Sequence, residues 1–290
     1  MTSTTTAFLA VTQNLSRYQA MTAAEPAVKT ATAYYEANIG SVSSVQDLVG
    51  NYRLLSYALN AYGLGDQINN KGLITKVLEG GVSNSKSLAN TLPDSRWKAF
   101  AAAFNFIDSG ATSPSSSSAV RTTTSDYVEQ QLESDQGGQD VGVQLALYFQ
   151  RVAPTVTSEY GILADTNLLQ VAATIMGLSP SAAADLQPQT LSELMPLSDL
   201  QDPAKLKQLT ERFTAMYDYT YGPASGATTS LSADSGNSSS EQSGAASVLS
   251  SIISSNGSVL SDTFNSFTGA TQATFSTSLM ASMSRLTLGG

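Results

Sequence analysis

"YYEANIGSVSSVQDLVGNYRLLSYALNAYGL", residues 34–64, decides how this chain is read. It ends an apolar run at Gly63-Leu64, and Gly65 follows, ahead of a candidate helix. Such an ending can cradle a nucleotide phosphate, or it can simply stop a helix. Laid over "YFQRVAPTVTSEYGILADTNLLQVAATIMGL", residues 148–178, the stretch matches without a gap. Tyr34 meets Tyr148, Val42 meets Val156, Ser44 meets Ser158 and Leu54-Leu55 meet Leu168-Leu169. Ala58 meets Ala172, and Gly63-Leu64 meet Gly177-Leu178. Two copies of one helical unit is the economical reading. The second copy has Ser179 in place of Gly65, so the shared feature is a helix followed by Gly-Leu. A dinucleotide turn also needs a preceding strand and a third glycine, and Ile68 stands where that glycine belongs. A glycine just past a helix takes the left-handed conformation, and the Leu after it packs back. Gly63 therefore reads as a helix stop, and Gly65 as the start of a turn.

Outward from this stretch, apolar residues recur at steps of three and four. Phe8, Val11, Leu15 and Tyr18 predict one amphipathic helix over residues 4–24, and Pro26 opens a second that runs to about Ile39. A short helix is capped at Ser43 or Ser44. Further helices are predicted over residues 52–62, 71–80, 83–92 and 95–104, the last with Trp97, Phe100, Ala101 and Phe104 on its anchor face. Residues 107–120 read as a polar loop. Helices follow over 118–134, 141–153, 165–176 and 202–219, with Pro154 ending or kinking the second of these. With a small shift, residues 95–104 also match 204–213 in pattern. Residues 223–243 are Ser, Gly, Ala, Thr and Asn with little apolar content and read as a flexible linker. In 244–290, Phe264, Phe267, Phe275, Leu279, Met283 and Leu286 are spaced for amphipathic helices. The expected fold is all-α. Two related multi-helix units (about 34–106 and 148–219) pack as one helical domain over 1–222, followed by a Ser-rich linker and a helical C-terminal tail.

Composition narrows the function. The 290 residues are 41% hydrophobic, enough for a core, and only 13% charged, about half the usual share. A net charge of −9 argues against a nucleic-acid partner. The sequence has no Cys and no His, which removes thiol chemistry, thiolate and imidazole metal ligands and histidine-based triads. No apolar run reaches the length of a membrane span. The N-terminus lacks the basic start and apolar centre of a signal peptide.

Three motifs invite chemistry. Ser95-Arg96-Trp97-Lys98 has the Ser-x-x-Lys spacing of penicillin-recognising enzymes, but the companion Ser-Asp-Asn and Lys-Thr-Gly elements are missing. It reads better as a helix start with a solvated Lys. Glu129, Glu133, Asp135 and Asp140 form an acidic patch without calcium-loop spacing, and read as a solvated face. "YDYTY", residues 217–221, reads as core or interface aromatics. No catalytic residue, cofactor or metal is expected.

The blocks at residues 34–66, 76–106 and 142–178, and "LSDLQDPAKLKQLTERFTAMYD", resemble domain of unknown function 1217. This is an alphaproteobacterial family whose genes often lie in flagellar gene clusters. The resemblance runs over about residues 4–221 and brings no catalytic residues. It implies a helical, flagellum-linked protein. Flagellar axial proteins are similar in low charge, high Ser, Thr, Asn and Gln, absence of Cys and amphipathic ends. The expectation is a non-enzymatic structural or assembly protein of the bacterial flagellum, either exported by the flagellar secretion apparatus or assembled on the flagellum. It would act through protein–protein contact or self-association, without nucleic acid or membrane insertion. Its candidate contact residues are Phe8, Val11, Leu15, Tyr18, Phe264, Phe267, Phe275, Leu279, Met283 and Leu286. The alternative is a cytoplasmic flagellar assembly factor or regulator that binds one partner protein.

Overall fold

Residues 2–222, apart from 111–113, 179 and 184, are described by the computed structural model, and their regular elements are all helical. The linker and tail at 223–290, with all six tail candidates from Phe264 to Leu286, lie outside the described residues.

The N-terminal segment forms two helices where one was expected, α1 (Thr4–Gln13) and α2 (Leu15–Ala24). The break falls at Asn14, with φ −125° and ψ 27°. Its side-chain amide donates to the Ala10 carbonyl at 3.0 Å, a local bond that competes with the helix ladder. Pro26 opens α3 (Pro26–Asn38), and a 3-10 turn (Ile39–Ser41) leads to α4 (Val45–Gly50) and α5 (Tyr52–Ala61). Ser44 caps α4 and Asn51 caps α5. Next come α6 (Lys71–Gly80), α7 (Leu88–Thr91), α8 (Ser95–Ala103), α9 (Phe106–Ser109) and α10 (Ser117–Gly137). The helix expected over 83–92 is reduced to the single turn α7. Part of the expected polar loop is helix: Ser116 caps α10 by accepting from the Ala119 amide, so the serine run becomes a cap and first turn.

The second copy begins with α11 (Val141–Val152), which turns at Ala153–Thr155 around Pro154 into α12 (Glu159–Ala164) and α13 (Thr166–Ile175). Then come α14 (Pro180–Ala183), α15 (Pro188–Leu194), α16 (Leu197–Gln201) and α17 (Pro203–Tyr221). The gapless sequence match is a backbone match. Gly63 and Gly177 both have φ 69°. Gly63 N–H donates to Asn60 O at 3.0 Å and Leu64 N–H to Leu59 O at 2.7 Å. In the second copy Gly177 donates to Thr174 at 3.0 Å and Leu178 to Ala173 at 2.8 Å. This pair of bonds closes a helix through a left-handed residue, and it settles Gly63 as a helix stop.

Each copy has its own core. Tyr35, Leu48, Leu54, Leu59, Ile74, Phe100 and Phe104 are among the buried residues of the first. Phe149, Ile162, Leu168, Val171, Leu191 and Phe213 are among those of the second. Burying one such side chain contributes about 1.5–3 kcal/mol. The looser match of 95–104 with 204–213 holds in burial but not in packing. α17 lies along α11 and α13, whereas α3 and α5 are covered by α10, and α8 packs on α6 and α7. A three-and-four spacing specifies a buried face, not the neighbour it meets. α10 and α11 pack on each other, which joins the copies.

Candidate interaction site

The chemistry-bearing side chains gather where the copies meet. The first turn of α8 points at the second copy. Asp94 caps α8 and also holds Arg96, whose Nη2 lies 2.8 Å from Asp94 Oδ2. Arg96 Nη1 donates to the Gly63 carbonyl at 2.7 Å, and its Nε lies 3.4 Å from Asp165 Oδ2. Asp165 is buried and caps α13 by accepting from the amides of Asn167 and Leu168 at 2.9 and 3.1 Å. The Tyr148 hydroxyl donates to Asp165 Oδ2, the oxygen that faces Arg96. Burial disfavours the Arg96 cation, but its hydrogen bonds to Asp94 and the charges around it raise its pKa on balance. Burial likewise pushes the Tyr148 hydroxyl up.

A second tie runs from α11 to α10. Arg151 donates from Nε to Glu133 Oε1 at 2.6 Å, and from Nη2 to Glu133 Oε2 at 2.8 Å and Gln130 Oε1 at 2.6 Å. The Glu133 side chain is only 2% exposed. Burial raises its pKa, and Arg151 works against that rise. Two turns earlier on α10, burial raises the Asp126 carboxyl to about 6, with Arg151 pulling down and Glu129 pushing up.

A third tie anchors the N-terminus. Asp218, on α17, accepts from the amides of Thr4 and Thr5 at 2.7 and 3.1 Å, so it caps α1 from across the fold. The Thr4 hydroxyl donates at 2.8 Å to Asp140, which itself caps α11. A Cβ at Gly142 would meet Tyr217 Cδ1 at 2.5 Å, so this approach needs glycine.

These placements revise the sequence expectations. Phe8 and Val11 are 3% and 2% exposed and belong to the second core, so that face of α1 is occupied within the chain. A three-and-four period shows that a stripe is buried, not by what. Tyr18 packs against the same core half-buried, and Leu15 is half-buried. In Ser-x-x-Lys, Ser95 pairs with Thr155 at 3.0 Å and Lys98 is exposed. The acidic patch is not a solvated face. Glu133 is buried against Arg151, Asp140 caps α11, and Thr22 donates to Asp135 at 3.5 Å. Among the described residues no three carboxylates gather as metal ligands would. In 217–221, Tyr217 packs at a tilt between Phe213 and Tyr221, while Tyr219 and Tyr221 reach the surface.

The sequence reading missed the joint altogether. Its one visible signal is Arg151, a lone cation in the apolar run "LALYFQRV". It also missed a stack of Tyr35 on Tyr57 on Tyr127, with centroids 4.4 and 3.9 Å apart.

One open depression of about 570 Å³ marks the first copy, lined by Tyr34, Ser41, Asp47, Asn51, Tyr52 and Arg53 among others. The Arg53 guanidinium lies 3.6 Å from the centroid of the Tyr34 ring. Among the described residues no helix is long and apolar enough to cross a membrane.

Fold and joint together define an all-α scaffold built on a duplicated helical unit. The family model described as "Protein of unknown function (DUF1217)" matches residues 61–206, half of the chain, and the chain belongs to that family. It is similar to an Agrobacterium tumefaciens protein of known X-ray crystal structure. The two share 36% identity and a TM-score of 0.69 over 76% of this chain and 97% of that one. No curated protein matches it.

Proposed function

We propose that this chain is a non-enzymatic, flagellum-associated structural or assembly protein that works through helix-mediated protein–protein contact. The observation that supports the reading is how the interior ionic groups are used. Arg96, Asp165, Arg151 and Glu133 tie helix ends and copies together, and Ser95, the one candidate nucleophile, is bonded to Thr155 rather than to Lys98. The flagellar assignment rests on the family resemblance. Fractionation tests it: the protein should appear in shear-released or basal-body fractions, and deletion of 223–290 should remove it from them. Its absence from both fractions overturns the structural role.

One observation favours the second reading, a cytoplasmic assembly factor bound to a single partner. Phe8 and Val11 lie in the core, so the α1 face does not offer the free terminal stripe expected of an axial subunit. A stable complex with one flagellar protein in cytoplasmic extract would support it.

A further inference from the structure

We propose that the open groove on the first copy accepts a second molecule of this chain, which seats the α16–α17 corner of its own second copy there. The template is the joint inside the molecule. The second copy presents a face containing Tyr148, Thr155, Gly161 and Asp165, and the α7–α8 corner of the first copy fills it. Ser95 bonds Thr155, Arg96 pairs with Asp165, and a Cβ at Gly161 would come within 3.1 Å of the Pro93 carbonyl. In the gapless overlay the counterparts of these four residues are Tyr34, Ser41, Asp47 and Asn51, and all four line the open groove. One face of the duplicated unit is filled and its twin stands open.

The inserted corner has a counterpart in capping and burial pattern, although α17 packs within its own copy differently from α8. Asp94 caps α8 with Arg96 close behind; Asp202 caps α17 with Lys205 close behind. Residues 201–205 are exposed. The molecule therefore carries one completed joint and the two separate halves of another.

Charge agrees with this docking. The groove holds Asp47 and Arg53, and the corner brings Asp202 and Lys205, the latter in an exposed pair with Asp199 at 2.6 Å that docking would exchange for one with Asp47. Tyr52, 62% exposed at the groove, supplies an aromatic anchor. Because the contact joins two different patches, it does not close on itself and propagates head to tail. The inference deepens the proposed assembly role. It is read in solution without flagella, so its failure is separable from failure of the flagellar assignment.

Sedimentation velocity of the full chain at rising concentration tests it. The average mass should climb past that of a dimer. Tyr52→Glu in the groove and Ala204→Arg at the corner change exposed positions in first helical turns, and unchanged circular dichroism melts will show that both variants fold. Each should weaken association by at least about tenfold. Mixed together, each variant supplies the half that the other lacks, and the mixture should stop at a one-to-one dimer. A chain that stays monomeric overturns the proposal, as it would if residues 223–290 filled the groove. So does a dimer that both variants retain, or a mixture without complementation.

Discussion

Asp165 shows how much can hang on one buried carboxylate. It caps α13, accepts from Tyr148 and faces Arg96. Arg96→Ala leaves that carboxylate without its cation and the Gly63 carbonyl without a donor, so it should cost about 3 kcal/mol in urea denaturation. Arg96→Lys should recover only part, because an ammonium lacks the planar fork that reaches Asp94 and Gly63 together. Asp126 carries a pH dependence of definite sign. Its pKa rises from 3.8 to about 6 on folding. Across that window the native state holds a proton that the unfolded chain has released, so this residue's contribution to stability falls as pH rises. Above it, the ionised carboxylate remains a cost. Asp126→Asn should therefore stabilise by about 1 kcal/mol at neutral pH, a figure reduced for partial exposure, with the gain vanishing near pH 4. Melting both proteins across the range checks this.

Between elements, the two helix stops make a matched pair. Gly63 and Gly177 share φ 69°, so Ala at either position pays about 1 kcal/mol for a left-handed backbone. A Cβ at Gly63 would also press Gln130 Oε1 at 3.3 Å, whereas at Gly177 the nearest atom is Met216 Cε at 3.6 Å. Gly63→Ala should be the more damaging in paired melts. Asp218→Ala should release the start of α1, costing about 1–2 kcal/mol and speeding amide exchange at Thr4 and Thr5. Helices and their faces were legible because a period survives in any context: Leu54, Leu55, Ala58 and Leu59 are all buried as read. Partners were not. The spacing of Phe8 and Val11 carries no address, the Asn14 break turns on one side-chain bond, and the joint pairs residues distant in sequence. The tail candidates lie outside the described residues.

For the whole molecule, duplication left two cores with a polar seam between them. The α10–α11 packing and the Arg96 and Arg151 ties should make them melt together, since opening either core strands buried charges of the seam. One feature makes this directly observable. The chain has a single tryptophan, Trp97, 5% exposed in the first core. Its emission is a private reporter on one of the two cores, while far-ultraviolet circular dichroism averages both. In the native protein the two signals should superimpose through the transition. In Arg96→Ala they should part, which would show the copies ceasing to act as one. Duplication built two similar halves, and a lone indole lets an optical measurement tell them apart.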